Sequence, residues 1–266
     1  MLAEQMLHDG NLQGALEDLQ EQIRRQPENS RYRVFFFQLL AVIGQWERAM
    51  NQLTVLEELD RDTWPMVQMY RSAIQCEVLR AEIFAGRQTP LIFGEPPEWM
   101  AWLLEALRLT AESRYDKARQ LRDQAFDQAA ASAGTLDGQD FDWIADADSR
   151  LGPVLELIVN GRYYWAPFEQ IRLIKLSPPE DLRDLVWIPA RFVWVNGGEA
   201  VGLIPARYPG SDRADDPLIR LARTTRWQEV IDSVYHGSGQ RMLATNTDDY
   251  PIFEVRLIAF NENTSH

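Results

Sequence analysis

The chain has 266 residues, of which 45% are hydrophobic and nine are Trp, a size and composition that exclude a disordered polymer and favour two cores over one. Its formal net charge is −13 and neither half is basic, which excludes a phosphate-backbone partner: no nucleic acid is expected. Cys76 is the sole cysteine, so there is no internal disulfide and no thiolate metal cage, and a reducing compartment fits best. The N-terminus carries acidic residues where a secretory signal carries basic ones. The longest apolar run, Val34 to Ile43, is interrupted by Gln38 and is too short to cross a bilayer. The sequence therefore reads as a soluble, cytoplasmic protein with no membrane partner.

In chain order, the first predicted element is a helix ending near His8, followed by a turn at Gly10 and a second helix from Leu12 that stops before Pro27. Ser30 is a plausible cap for a third helix through Phe35-Phe36-Phe37 to Gly44, and a fourth runs from Trp46 to about Leu59. Gly10, Leu12, Ala15, Leu16 and Leu19 recur as Gly44, Trp46, Ala49, Met50 and Leu53, each displaced by 34 residues, the period of a tetratricopeptide helix hairpin. The small residues Ala15 and Ala49 fit a close helix–helix contact, and the glycines end the preceding helices. A third unit keeps the helical period through Val67, Tyr70, Ile74, Val78 and Ala81 but has lost the glycine, so it is degenerate or one long helix. After Gly94-Glu95-Pro96-Pro97, helices over Trp99–Ala111 and Tyr115–Ala131 form a last hairpin. There Ser113, Tyr115 and Ala118 stand 69 residues beyond Gly44, Trp46 and Ala49.

Turn residues from Ala133 to Gly138 end this helical texture. Beyond them Leu151 to Asn160 reads as a helix preceded by Asp148 and Ser149 and ended by Gly161. Arg172 to Leu176 reads as a strand and Pro179 to Leu185 as a helical turn. Val186–Val195 and Ala200–Tyr208 form a hairpin across Asn196-Gly197-Gly198, and the prolines in both arms predict a bulge or an edge position. A last strand alternates through Phe253, Val255, Leu257 and Ala259. The expected fold class is α+β. A tetratricopeptide-like helical domain spans residues 1–134, and a small, mainly antiparallel β domain, barrel-like or open, with a short leading helix spans residues 135–266.

Little in the sequence advertises catalysis. Of the three histidines, His8 lies on the first helix, His236 in a Gly-rich loop and His266 at the end, so neither a metal pair nor a Ser-His-Asp arrangement is expected. Asp140, Asp142, Asp146 and Asp148 lack the spacing of a calcium loop. His236-Gly237-Ser238-Gly239-Gln240-Arg241 follows no strand–turn–helix unit and reads as a loop, not a phosphate cradle. Tyr163-Tyr164-Trp165 reads as core or interdomain packing, with an exposed recognition patch as the alternative. No catalytic residue, metal or cofactor is therefore assigned.

Several strings are more distinctive than the repeat. Phe141-Asp142-Trp143-Ile144-Ala145-Asp146-Ala147-Asp148-Ser149-Arg150-Leu151-Gly152-Pro153 is one and Asn160-Gly161-Arg162-Tyr163-Tyr164-Trp165 with Pro167-Phe168 is another. Two more are Trp187-Ile188-Pro189-Ala190-Arg191 and Leu203-Ile204-Pro205-Ala206-Arg207-Tyr208-Pro209-Gly210-Ser211. Together they resemble the ImpE (TagJ or SciE-type) family over nearly the whole chain. The resemblance implies a non-catalytic accessory protein of the bacterial type VI secretion system. It further implies binding to the N-terminal helix of the small sheath subunit (TssB type) and action beside the AAA+ ATPase that recycles contracted sheath. A helical repeat suits that task, because its concave face accepts an amphipathic helix. Aligning the period on Ser30 places Arg31, Val34 and Gln38 of the second unit, and Gln68, Ser72 and Gln75 of the third, on the groove side; the alternative for these six is an ordinary solvated face. A homo-oligomeric scaffold, or an enzyme with an unrecognised site in the β domain, are the other readings of function.

Overall fold

The structure, a computed structural model, describes residues 2–261. Seven helices fill the first half: α1 (Leu2–His8), α2 (Leu12–Arg25), α3 (Ser30–Val42), α4 (Trp46–Leu59), α5 (Trp64–Phe84), α6 (Glu98–Ala111) and α7 (Tyr115–Gln128). The turns that separate them follow from backbone chemistry. Gly44 has φ +68°, and Ser113, at the corresponding place before α7, adopts the same left-handed region at φ +59°. Asn29, not Ser30, caps α3: its Oδ1 accepts the backbone N–H groups of Arg31 (3.1 Å) and Tyr32 (3.4 Å), and Ser30 is already helical. The third unit is a single helix, the 21-residue α5, because no glycine interrupts it before Ala85.

Ala15 and Ala49 are fully buried and Ala118 nearly so, each on the second helix of a hairpin. A larger side chain there has no free volume to occupy. Ala49→Leu is expected to lower the unfolding free energy by about 1–3 kcal/mol through overpacking. An unchanged chemical-denaturation midpoint would contradict the close helix contact.

The second half is mainly antiparallel sheet. Short strands β2 (Gly134–Leu136), β3 (Gln139–Phe141) and β4 (Ile144–Asp146) lead into β5 (Val154–Val159), β6 (Arg162–Pro167), β7 (Ile171–Leu176), β8 (Trp187–Trp194) and β9 (Glu199–Pro205). With β1 (Leu91–Ile92) and β14 (Leu257–Phe260), all of these except β4 build an open nine-stranded sheet, among the described residues, in the order β1-β6-β5-β9-β8-β7-β14-β2-β3. Its one parallel pair is β1 with β6. A short helix, α8 (Pro217–Arg220), precedes a separate ribbon, β10 (Thr225–Ile231) with β11 (Val234–Gly239). β12 (Met242–Thr245) joins β13 (Asp249–Pro251) to β4.

The structure departs from the sequence expectation at four places. Leu151 to Asn160 is not a helix: Val154–Val159 is β5, and Asn160-Gly161 is the two-residue turn to β6, with φ +51° and +71°. The β8–β9 hairpin lies inside the sheet and not at its edge. Its prolines are tolerated because Pro189 lies just beyond the last β7–β8 pair, Leu176↔Ala190, and Pro205 is the final residue of β9. His236 to Gly239 belongs to β11 and is not a loop. The last strand begins only at Leu257, because Phe253 and Val255 lie in the preceding turn and coil.

All six residues of β5 are buried, since both faces of the sheet are covered. Val154 and Ile158 join Tyr163, Trp165 and Trp187 in a core shared with the helices; Leu155, Leu157 and Val159 face a second core with Ile188, Phe192 and Ile258. The first core runs without interruption from Leu16 and Phe37 into the sheet. Trp187 marks the junction, with ring centroids 6.0 Å from Trp46 and 5.6 Å from Tyr70.

Candidate functional site

Two concavities follow one another along α5. The first is a groove of about 510 Å³ between α4 and α5, walled by Trp46 and Met50 on one side and Ile74 and Val78 on the other. These residues fall at i and i+4 on facing helices, so their side chains line one seam. Val78 is 51% exposed, an open apolar position with Glu47, Asn51 and Gln75 at the margin. Partial exposure of this kind, contiguous and rimmed by polar groups, is the usual form of a protein-binding surface.

The second concavity, about 230 Å³, lies where α5 meets the sheet half and shares Trp46 with the groove. Its wall includes Phe84, Arg80, Arg150 and Arg213, with Glu77 and Asp212. Arg80 and Arg150 both lie over the Phe84 ring, at 5.6 and 5.2 Å from its centroid.

Behind the cleft is a buried ionic network that fixes α5 to the sheet. Glu156, on the helix-facing side of β5, accepts from Arg80 Nε (2.6 Å) and Nη2 (2.9 Å), from Arg241 Nη2 and from Tyr163 Oη. Trp165 Nε1 donates to Tyr163 Oη at 2.8 Å, and Arg241 Nη1 donates to Asp146. Arg80 Nη2 also reaches the Arg207 carbonyl (2.8 Å), and Arg207 donates to the last carbonyls of α3, Val42 (2.7 Å) and Ala41 (3.3 Å). A cation there complements the negative end of the helix dipole.

The proton affinities follow from burial and neighbours. Burial pushes the Glu156 carboxyl up, but the Arg80 and Arg241 charges and the bonds from Arg80 and Tyr163 outweigh it and hold it at about 2. For Asp146 burial wins, reinforced by the like charges of Asp148 and Glu156 against Arg241, and the group rises to about 7. Burial and the Arg150 charge lower His236 to about 4, and its Nε2 is buried with no hydrogen-bond partner among the described residues.

The residues singled out from the sequence are dispersed. Arg31 is exposed and Val34 half-buried on α3, whereas Gln38 is 4% exposed, inside the helical core and out of reach of a ligand. Gln68 donates to Glu57 (3.0 Å). Ser72 faces the Asn160-Gly161 turn and donates to the Gln68 carbonyl (3.1 Å). Of the six, Gln75 alone lines the α4/α5 groove. Tyr163 and Trp165 are buried, which removes them as a recognition patch. The acidic cluster is divided: Asp148 binds Arg150 (2.8 Å), Asp146 binds Arg241 and Asp142 accepts from Asn246 (2.8 Å). Trp46, Met50 and Val78 went unassigned, although the repeat marked Trp46 and Met50 and the helical period marked Val78.

These features define an α+β protein in which stacked helix hairpins present an apolar groove and a sheet braces them from behind. The model of the ImpE protein family matches residues 138–259. The type VI secretion system accessory component TagJ of Pseudomonas aeruginosa is 51% identical over 260 residues, covering 98% of this chain and 91% of that protein. A crystal structure of a Vibrio parahaemolyticus protein has a TM-score of 0.90 at 25% identity, covering 99% of each chain. The chain belongs to the ImpE/TagJ family of type VI secretion accessory components. No described helix is long and apolar enough to cross a membrane.

Proposed function

We propose that the protein is a non-catalytic adaptor of the type VI secretion system that receives the N-terminal helix of the small sheath subunit in its α4/α5 groove. Through that contact it modulates sheath assembly or ATPase-driven disassembly. The observation that carries the reading is the groove itself, where Trp46, Met50, Ile74 and Val78 form an open apolar seam between two long helices. An amphipathic helix inserts i, i+3, i+4 and i+7 side chains into a seam of this shape, and such anchors supply most of the affinity. The accessory role of the P. aeruginosa relative supports the setting. The net charge of −13 adds long-range attraction for basic residues elsewhere on the partner, so association should slow with added salt.

Co-purification tests the reading. The protein is expected to retain full-length small sheath subunit and to lose the version lacking its first helix. Equal retention of both versions would overturn it.

A further inference from the structure

The groove and the arginine-walled cleft are consecutive stations along one helix. Ile74 and Val78 belong to the first, Ala81, Phe84 and Ala85 to the second, and Trp46 borders both. At 1.5 Å per residue their centres are separated by about 10 Å along α5, close to two helical turns. A helix long enough to fill the groove therefore extends over the cleft.

The cleft is chemically unlike the groove. Arg80 is saturated by Glu156, Glu77 and the Arg207 carbonyl and serves as wall. Arg150 places Nε and Nη2 on Asp148, and Nη1 takes no part in those bonds. Arg213 is exposed, and its side chain enters no ion pair among the described residues. On the acidic side, Glu77 is engaged by Trp187 Nε1 (3.1 Å) and Arg80 (3.3 Å), and Asp212 packs against Gly44. The cationic donors left over in the cleft are therefore the Arg150 and Arg213 guanidinium groups, two against the one lining carboxylate, Asp212, that no ion pair engages among the described residues, in a chain whose overall charge is −13. A planar guanidinium pairs with a carboxylate through two parallel bonds, and partial burial beside Phe84 strengthens such a pair relative to open water.

We propose that the helix occupying the groove carries an acidic side chain about two turns, six to eight residues, beyond its central apolar anchor, and that this carboxylate enters the cleft and pairs with Arg150 and Arg213. The proposal rests on the adaptor reading above: the groove supplies apolar affinity, and the cleft fixes the direction and register of the helix.

Calorimetry with a synthetic peptide spanning the first helix of the small sheath subunit tests it. The wild-type protein, Val78→Asp and Arg213→Glu are titrated with that peptide and with variants in which each Asp or Glu becomes its amide. Arg213→Glu is expected to weaken binding about tenfold. One amide peptide should lose a similar factor on the wild type yet less than about twofold on Arg213→Glu, the signature of a coupled pair. Thermal melts of Arg213→Glu, whose side chain is exposed, verify folding. Loss of binding by Val78→Asp with unchanged binding by Arg213→Glu, or equal binding of all amide peptides, would overturn the proposal and leave the groove standing. No binding by the wild type would overturn the adaptor reading and this inference with it.

Discussion

Replacing Glu156 by Gln is expected to lower the unfolding free energy by about 3–5 kcal/mol, because it strips the shared counter-charge from two buried arginines while keeping the shape of the side chain. Glu156 is fully buried, and Arg80 and Arg241 both place guanidinium nitrogens on it. Both cations are buried, and Arg80 would keep only Glu77 and Arg241 only Asp146, so the cost is that of under-compensated buried charge and not the value of one surface pair. That is a large fraction of the stability of an ordinary domain.

The same network gives the pH profile two limbs of opposite sign. Glu156 has a folded value of about 2 against an ordinary 4.5, so the unfolded chain takes up its proton first as the solution is acidified. The stability it contributes is present above pH 4.5 and is lost as pH falls toward 2. Asp146, raised from 3.8 to about 7, works the other way: the folded state holds the extra proton, and its contribution declines as pH rises between those values. Urea titrations across pH 2–8 should therefore show a shallower acid limb for Glu156→Gln. Asp146→Asn should flatten the decline between pH 4 and 7. An acid limb unchanged in Glu156→Gln would place the acid sensitivity elsewhere.

Trp187→Ala is expected to cost about 3–5 kcal/mol, the range for removing a large aromatic side chain from a packed core. Trp187 has no exposed surface, touches the rings of Trp46 and Tyr70, and donates through Nε1 to Glu77. Because the core it occupies is common to the helices and the sheet, far-UV and tryptophan signals should move together to a lower midpoint, in one transition. Two separated transitions, with the helical one unshifted, would show that residues 1–134 and 135–266 hold together independently of this junction.

Much of the helical half was legible because its signals are local. Glycines at positive φ, Pro27 after α2 and small residues at 34-residue spacing act within one or two turns, and they locate each hairpin without reference to the rest of the chain. The β8–β9 hairpin was legible for the same reason through Asn196-Gly197. Asn160-Gly161 carried an equal signal, but β5 hid it: Val-Leu-Glu-Leu-Ile-Val is buried on both faces, so the alternation that distinguishes a strand from a helix is absent. The prolines of β8 and β9 implied a bulge or an edge because their tolerance depends on where neighbouring strands stop, which only the assembled sheet reveals. The ionic network was invisible on similar grounds. Arg80, Glu156, Arg207 and Arg241 are far apart in sequence, and nothing local distinguishes them from surface charges. The groove was half legible: the repeat pointed to α3 and α5, and of these only α5 lines it, opposite α4, because α3 turns Gln38 into the helical core.

The most direct test of the groove assignment is site-specific photo-crosslinking. A benzophenone side chain is placed at Val78, in the groove, or at Val201, which is 71% exposed on β9, and each protein is irradiated with the small sheath subunit. Mass spectrometry is expected to find Val78 joined to the first helix of the sheath subunit and Val201 joined to none of it. Crosslinks from Val201 to that helix, with none from Val78, would move the binding surface from the helical groove to the sheet.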